Sequence, residues 1–228
     1  MAPEGKLFLK FLGLVVLFVA PFMAGCGSGE QPNEEGEQDS SGKATVVSGE
    51  RVEVGDTEAL VWGEGDYGVV MAHGASYDAS SWDEQAQDIS ENSIVALAPE
   101  DTSPESLLSS IEYLKEECGV AGVALMGGSA GGSAVLQAAT ENPEAADQLI
   151  ILSAARDVSG LGEEPKLFAA SEGEGRLAEE ARRMAEEAPG DQNEALVLSG
   201  DAHAQAIFQT EEGDRLMQTI LKRLEEHR

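Results

Sequence analysis

Basic residues and histidines are scarce in this chain, and each scarcity argues against a class of protein. The 228 residues include 14 Lys and Arg against 43 Asp and Glu, which gives a formal net charge of −29 at pH 7. This excess of carboxylates repels polyanions, so the sequence predicts no nucleic-acid partner. The three histidines include no pair with metal-binding spacing such as HExxH, so no metal centre is predicted.

Nucleotide-binding loops are also missing from the sequence. The glycine-rich stretch at 127–132 contains no GxGxxG pattern, and no Lys-Ser or Lys-Thr pair follows its last glycine. Dinucleotide-binding folds need the first pattern and P-loop proteins need the second. We therefore predict that the protein works without a cofactor.

The same stretch, Leu-Met-Gly-Gly-Ser-Ala-Gly-Gly at 125–132, is the most informative part of the sequence. It contains the GxSxG pattern of a nucleophile elbow, in which a serine stands at a sharp turn between a strand and a helix. The turn requires neighbours without bulky side chains, and glycines meet that requirement. It also leaves the amide of Ala130 at a helix N-terminus, facing the position where an oxyanion would form. We predict Ser129 as a nucleophile.

A serine is a poor nucleophile near neutral pH unless a histidine acts as its base. His203 follows the apolar run at 195–198 and is predicted in a loop after a buried strand, where a base should stand. His73 also follows an apolar run, but Gly74 comes next, and this position suits the loop that supplies a second oxyanion amide. His227 lies one residue from the end of the chain in a charged helix. We predict His203 as the base.

The residue that orients the histidine is harder to choose in so acidic a sequence. Glu172 and Glu174 follow the short apolar run at 165–170, which predicts a strand, and either could reach a histidine from the loop after it. The resulting order along the chain, serine then acid then histidine, is the one expected of a protein with a nucleophile elbow. We prefer Glu174, with Glu172, Asp157 and Asp201 remaining as alternatives.

These features together resemble the small α/β-hydrolases, especially the compact branch related to dienelactone hydrolases. The resemblance covers about residues 60 to 228 and rests on stretches that occur in the expected order: 70–75 with Ser81-Trp82, 127–131, 152–154, 165–174 and 200–203. It implies Ser129 as nucleophile, His203 as base, Glu174 as acid, and the amides of Ala75 and Ala130 as the oxyanion hole. The family more often has aspartate where this chain has Glu174.

Apolar runs alternate with amphipathic segments from about residue 45 onward, which predicts an α/β fold with a mostly parallel sheet and helices on both faces. The predicted strands are 45–54, 58–62, 67–72, 93–98, 121–126, 148–153, 166–170 and 194–199. The predicted helices are 82–91, 104–117, 130–141, 176–188 and 211–227.

The interval between residues 150 and 165 is too short to fold into a helical cap over the active site. An α/β-hydrolase without a cap should have a shallow, open pocket. We therefore predict a preference for small or accessible acyl esters, including thioesters and lactones, over buried long-chain lipids.

The N-terminus predicts export. Lys6 and Lys10 precede the apolar run at 11–22, which is short for a membrane span and typical of a signal peptide. The run ends in Met-Ala-Gly-Cys, which resembles the lipobox of bacterial lipoproteins, with Met23 in place of the more usual leucine. We predict a signal peptide at 1–25, a lipid anchor on Cys26 and a flexible tether at 26–44 before a hydrolase domain at 45–228. The domain would then stand at the outer face of the cell membrane. Lipidation of Cys26 would leave Cys118 without a disulfide partner.

A second function is compatible with the same sequence. A lipoprotein that keeps a hydrolase scaffold could bind a small ligand or a protein partner without catalysis, because a fold does not fix a function. Reaction of Ser129 with an active-site probe distinguishes the two functions.

Overall fold

A computed structural model describes residues 48–228 of the chain. The predicted signal peptide at 1–25, the lipidation site Cys26 and the tether at 26–44 lie outside the described residues. So do residues 45–47, at the start of the first predicted strand.

Each predicted strand and helix has a counterpart in the structure, because apolar runs mark the strands and amphipathic segments mark the helices. The strands are β1 (Glu50–Val54), β2 (Thr57–Trp62), β3 (Tyr67–Ala72), β4 (Ile94–Pro99), β5 (Gly122–Gly128), β6 (Gln148–Leu152), β7 (Lys166–Ser171) and β8 (Asn193–Leu198). The helices are α1 (Asp83–Ser90), α2 (Pro104–Glu116), α3 (Ala130–Glu141), α4 (Arg176–Glu187) and α5 (Gly213–Glu226). Three short 3₁₀ helices were not predicted: Ala79–Trp82, Glu172–Glu174 and Ala204–Gln209.

The eight strands form one sheet in the order β1-β2-β4-β3-β5-β6-β7-β8. Strands β3 to β8 are paired in parallel, and β2 is antiparallel to both of its neighbours, β1 and β4. The chain runs from β3 outward to β4 and then returns to place β5 on the other side of β3. This reversal opens a crevice at the carboxyl ends of β3 and β5, where parallel sheets commonly bind ligands.

The core consists of two apolar layers, one on each face of the sheet. Side chains alternate along a strand, so in β3 Val69 and Met71 face one layer while Val70 and Ala72 face the other. Helices α2, α3 and α4 cover the Val70 side, and α1 and α5 cover the Val69 side. The predicted fold, a mostly parallel sheet with helices on both faces, is confirmed.

No cap covers the sheet within the described residues. The connection from β6 to β7 comprises residues 153–165 and contains neither helix nor strand. This connection also supplies partners for a buried charge. The Lys166 side chain at the start of β7 is fully buried, and its ammonium group donates to the Gly162 carbonyl and lies beside Glu164. Within residues 48–228, no helix combines the length and apolar character needed to cross a membrane.

Candidate active site

Ser129 occupies a sharp turn between β5 and α3. Strand β5 ends at Gly128 and helix α3 begins at Ala130, so this single residue makes the connection. Its backbone adopts φ 54° and ψ −114°, a conformation that few side chains tolerate. The Ser129 amide donates to the Leu152 carbonyl at 2.9 Å, and the Ser129 carbonyl accepts from the Ser133 amide at 3.0 Å. Strain of this kind persists only where neighbouring structure holds it and is concentrated at functional sites.

The glycines of the motif allow helix α3 to approach the sheet closely. A Cβ atom on Gly131 would lie 2.5 Å from the His73 carbonyl oxygen at the end of β3, and one on Gly127 would lie 2.6 Å from the backbone of Gly131. A Cβ on Gly128 would meet nothing closer than 3.3 Å. The backbone contact therefore requires both glycines that the pattern specifies, 127 and 131, and also Gly132, whose Cβ would lie 2.9 Å from the Gly127 carbonyl oxygen.

His203 links the serine to a carboxylate. Its Nε2 lies 2.8 Å from Ser129 Oγ, and its Nδ1 lies 2.6 Å from Glu174 Oε1. A carboxylate only accepts hydrogen bonds, so Nδ1 carries the proton and Nε2 is left to accept from the serine hydroxyl. The imidazole is 51% exposed and Ser129 is half-buried, so the reactive end of the site is open to solvent.

The Glu174 carboxylate is buried beneath the histidine, with 6% of its side chain exposed. In addition to His203, it accepts from the Ser153 hydroxyl at 2.6 Å and from the Ser171 amide at 2.8 Å, both through Oε2. Burying a carboxylate is costly unless donors surround it. Three donors therefore hold Glu174 in one orientation.

The remaining candidate residues lie elsewhere. Within residues 48–228, Glu174 is the only carboxylate that is hydrogen-bonded to His203. The carboxylates of Glu172 and Asp201 are exposed, and Asp157 accepts from the Ser159 amide in the loop after β6.

The other two histidines have different partners. His73 is buried, and its ring nitrogens lie 3.0 Å from the Gly74 carbonyl and 3.2 Å from the Glu100 carbonyl. His227 lies beside Tyr67 at the opposite edge of the sheet, where burial lowers its pKa.

The two predicted oxyanion donors flank the serine. Ala130 begins α3, where the first amides of a helix have no partner within the helix. Ala75 lies in the turn after β3, and its amide donates to no acceptor among the described residues. This turn packs on the elbow, because a Cβ on Gly74 would lie 3.6 Å from Ser129 Cβ.

Three polar residues that the sequence analysis did not select support this arrangement. The Ser153 hydroxyl donates to Glu174 and accepts from the Ala204 amide at 2.9 Å. The Ser171 hydroxyl donates to the Ala202 carbonyl at 2.6 Å, which ties the acid loop to the histidine loop. The Gln205 side chain contacts the turn after β3. Ser153 belongs to one of the stretches that resemble the family, but no local sequence pattern predicts its contact with Glu174.

Several carboxylates lie at the carboxyl edge of the sheet, the edge that carries the site. Asp78, Glu100, Glu172 and Asp201 lie in the segments that follow strands β3, β4, β7 and β8. The Ser80 hydroxyl, followed by backbone amides, holds the pKa of Asp78 below its ordinary value despite some desolvation. This edge of the sheet is therefore rich in negative charge.

Comparison with solved structures identifies the fold. A CIB-like hydrolase from Thermoplasma acidophilum has a TM-score of 0.61 at 18% identity, covering 78% of this chain and 98% of that one. A dienelactone hydrolase from Anabaena variabilis has a TM-score of 0.65 at 15% identity, covering 78% and 96%. A monoglyceride lipase from Saccharomyces cerevisiae has a TM-score of 0.64 at 11% identity, covering 81% and 97%. The fold is that of the α/β-hydrolases. No family model and no curated protein matches the chain.

The α/β-hydrolase fold accounts for the position of each element in the site. Ser129 follows β5, Glu174 follows β7 and His203 follows β8, so all three stand at the carboxyl edge of the sheet. The order of serine, acid and histidine along the chain is the order that this fold uses for its catalytic residues. At these identities the likeness establishes the architecture alone.

Proposed function

We propose that this protein is a serine hydrolase that cleaves carboxylic esters, including thioesters and lactones, through an acyl-enzyme. The observation that carries the proposal is the continuous chain of hydrogen bonds from Ser129 Oγ through His203 to Glu174. Several similar structures are of proteins named as esterases, lipases or a dienelactone hydrolase, which supports ester chemistry at such a site.

The reaction begins when Ser129 Oγ attacks the acyl carbon and its proton passes to His203 Nε2. The carbonyl oxygen becomes an oxyanion, for which the amides of Ala75 and Ala130 are the proposed donors. The bond to the leaving oxygen or sulfur then breaks, and His203 gives that atom its proton. Water attacks the acyl-enzyme with His203 again as base, releasing the acid and restoring the serine hydroxyl. Glu174 orients the imidazole and stabilises its charged form throughout.

The open site argues for small or accessible acyl groups. The connection at 153–165 forms no cap, and the histidine is half exposed, so nothing among the described residues encloses a long acyl chain. We expect kcat/KM for p-nitrophenyl esters to be highest for acetate or butyrate and to fall as the chain lengthens. An enzyme that cleaved only long-chain esters would contradict this substrate class.

The deciding experiment combines a fluorophosphonate probe with Ser129→Ala. The probe should label the wild-type protein at Ser129, and Ser129→Ala should lower esterase kcat/KM by at least about 10³-fold with an unchanged circular dichroism spectrum. His203→Ala should have a similar effect and Glu174→Ala a smaller one. Glu172→Ala is the matched control, because that carboxylate is exposed and lies two residues away. It should retain activity.

Failure of this experiment has a defined meaning. A folded wild-type protein that neither reacts with the probe nor cleaves esters would favour the alternative of a binding protein on a hydrolase scaffold. Labelling together with acyl transfer to an added alcohol or amine, at the expense of hydrolysis, would indicate a transacylase.

We also propose that the protein is exported and lipid-anchored through Cys26 at the outer face of the bacterial membrane. The basis is the signal-like segment at 1–25 and the small residues before Cys26. The intact mass of the protein purified from membranes should lack residues 1–25 and carry a lipid adduct, and Cys26→Ser should abolish the adduct. An unmodified full-length protein would contradict the anchor.

A further inference from the structure

Gln205 joins the loop that carries the histidine to the loop that carries a proposed oxyanion donor. It lies two residues after His203 and is 6% exposed. Its Oε1 accepts from the Gly74 amide at 2.8 Å, and its Nε2 donates to Ser81 Oγ at 2.8 Å. The Gly74 amide requires an acceptor, which fixes the orientation of the side-chain amide. These contacts connect residues more than 120 positions apart in the chain.

The bond to Gly74 completes the restraint of the turn. The Gly74 carbonyl accepts from the Tyr77 amide at 3.0 Å and lies 3.0 Å from His73 Nδ1. A peptide unit is planar, so fixing that carbonyl also fixes the direction of the Ala75 N–H. Gln205 holds the preceding peptide unit through the Gly74 N–H. Glycine is the most flexible backbone position, and here both peptide units that flank it are held.

The second contact of Gln205 secures the far end of the same segment. Ser81 Oγ accepts from Gln205 and donates to the Asp78 carbonyl at 2.5 Å. One side-chain amide therefore restrains the segment from Gly74 to Ser81 at both ends.

We propose that Gln205 is a positioning residue for the oxyanion hole: it holds the Gly74 peptide so that the Ala75 amide faces the acyl oxygen bound at Ser129. The inference rests on the proposed hydrolase function and extends it. Gln205 touches no reacting atom. Because it follows His203 so closely, one short segment sets the position of both the base and the oxyanion donor.

Gln205→Met tests this role, since methionine fills the same volume but cannot accept from Gly74. Removing an oxyanion donor lowers kcat by about 10²- to 10³-fold, and displacing one should have a smaller effect. We therefore expect Gln205→Met to lower kcat by roughly 10- to 100-fold with KM changed less than about threefold. Gln205→Glu keeps an acceptor for the Gly74 amide and should recover most of the loss. Ser81→Ala keeps the Gly74 bond but removes the contact at the far end of the segment, so it should lower kcat less than Gln205→Met does.

A pair of substrates separates this role from general damage. A thionoester places a larger sulfur, a weaker acceptor, where an ester places its carbonyl oxygen. A well-formed oxyanion hole should therefore favour the ester strongly. In Gln205→Met the ratio of ester to thionoester kcat/KM should fall, whereas His203→Ala should lower both rates in parallel. Faster hydrogen exchange at the Gly74 amide in Gln205→Met, followed by NMR, would report the same change without activity.

The outcomes are distinguishable. An active wild type with unchanged kcat and unchanged substrate ratio in Gln205→Met would overturn the inference and leave the proposed function standing. A parallel loss for both substrates would overturn it as well, because that pattern indicates damage elsewhere. An inactive wild type that does not label at Ser129 would remove the proposed function and the inference together. If Gln205→Met does not fold, Gln205→Asn carries the same expectation, because its amide is one methylene too short to reach Gly74.

Discussion

The local backbone explains why position 174 carries a glutamate, where the hydrolases that the sequence resembles more often have an aspartate. Glu174 does not lie at the end of β7 but at the end of the 3₁₀ helix Glu172–Glu174, three residues beyond Ser171. Its side chain reaches back to the Ser171 amide with one oxygen and forward to His203 with the other. The extra methylene of glutamate provides this reach. The glutamate side chain therefore spans the distance from the Ser171 amide to His203.

Glu174→Asp, which shortens the side chain by one methylene, tests that account. The shorter side chain cannot keep both the Ser171 and the His203 contacts, so we expect kcat to fall by about 10-fold or more, with KM little changed. The rate of ester hydrolysis at saturating substrate concentration measures kcat. Glu172→Asp is the control, because Glu172 is exposed. Full activity in Glu174→Asp would show that the length of the side chain is not what places the carboxylate.

Single residues also mark the limit of what the sequence could predict at the site. Ser129 and His203 stand out because a motif and an apolar run point to them, and histidines are few. The acid remained one of four carboxylates, because composition makes Glu and Asp common and only the fold shows that Glu174 contacts His203. The contacts that Ser153 makes with Ala204 and Gln205 makes with Gly74 could not be predicted. These partners lie 51 and 131 residues away, beyond any local pattern.

At the scale of elements, helix α3 packs closely against the end of strand β3. Gly131 brings the first turn of the helix against the carbonyls of Ala72 and His73, and this contact anchors the turn that follows β3. The elbow at Ser129 and the turn after β3 are therefore held together by backbone contact, and Gln205 joins that turn to the loop that carries His203.

Gly131→Ala should disrupt that junction. Its Cβ would lie 2.5 Å from the His73 carbonyl, and backbone atoms cannot yield as a flexible side chain can. Overpacking of this kind typically lowers stability by about 1–3 kcal/mol or more, so we expect a clear fall in the midpoint of thermal unfolding and loss of esterase activity. Gly128→Ala in the same motif, with no contact closer than 3.3 Å, should be far milder. Equal effects of the two substitutions would contradict the packing argument.

The main elements could be predicted from the sequence, and the short ones could not. Buried parallel strands such as β3 and β5 are almost wholly apolar, and the helices between them are amphipathic, so periodicity identifies both. The 3₁₀ helices at 172–174 and 204–209 are too short to show a period, although they orient Glu174 and Gln205. The fold was therefore more predictable than the details of its site.

At the scale of the whole molecule, acidic side chains far outnumber their possible partners. The chain carries 43 Asp and Glu against 14 Lys and Arg. Among the described residues, several ion pairs lie within single helices, such as Arg183 with Glu180 and Glu187 in α4. Surface pairs of this kind contribute little to stability. The surface must therefore carry many carboxylates that repel one another in the folded state.

Salt should accordingly stabilise this protein. The Debye length falls from about 30 Å at 0.01 M to about 3 Å at 1 M, so added salt screens the repulsion between carboxylates that folding brings together. We expect the midpoint of thermal unfolding to rise by roughly 5 °C or more between 0.01 and 1 M NaCl, with most of the gain below 0.5 M. KCl should act equally, and sucrose should not reproduce the steep rise at low salt.

Charge-removing substitutions test the same account. Replacing exposed Glu116 and Glu117 at the end of α2 with glutamine should raise the unfolding midpoint at low salt and make it less dependent on salt, because negative charge at a helix C-terminus is unfavourable. Exposed Glu105 at the start of α2 is the matched control, since its charge is favourable there and Glu105→Gln should not raise the midpoint. Two results would contradict this prediction: a midpoint of thermal unfolding that does not change below 0.5 M salt, or one that rises only in proportion to salt concentration up to several molar. Either result would attribute the effect of salt to hydration of the surface and not to screening of charge.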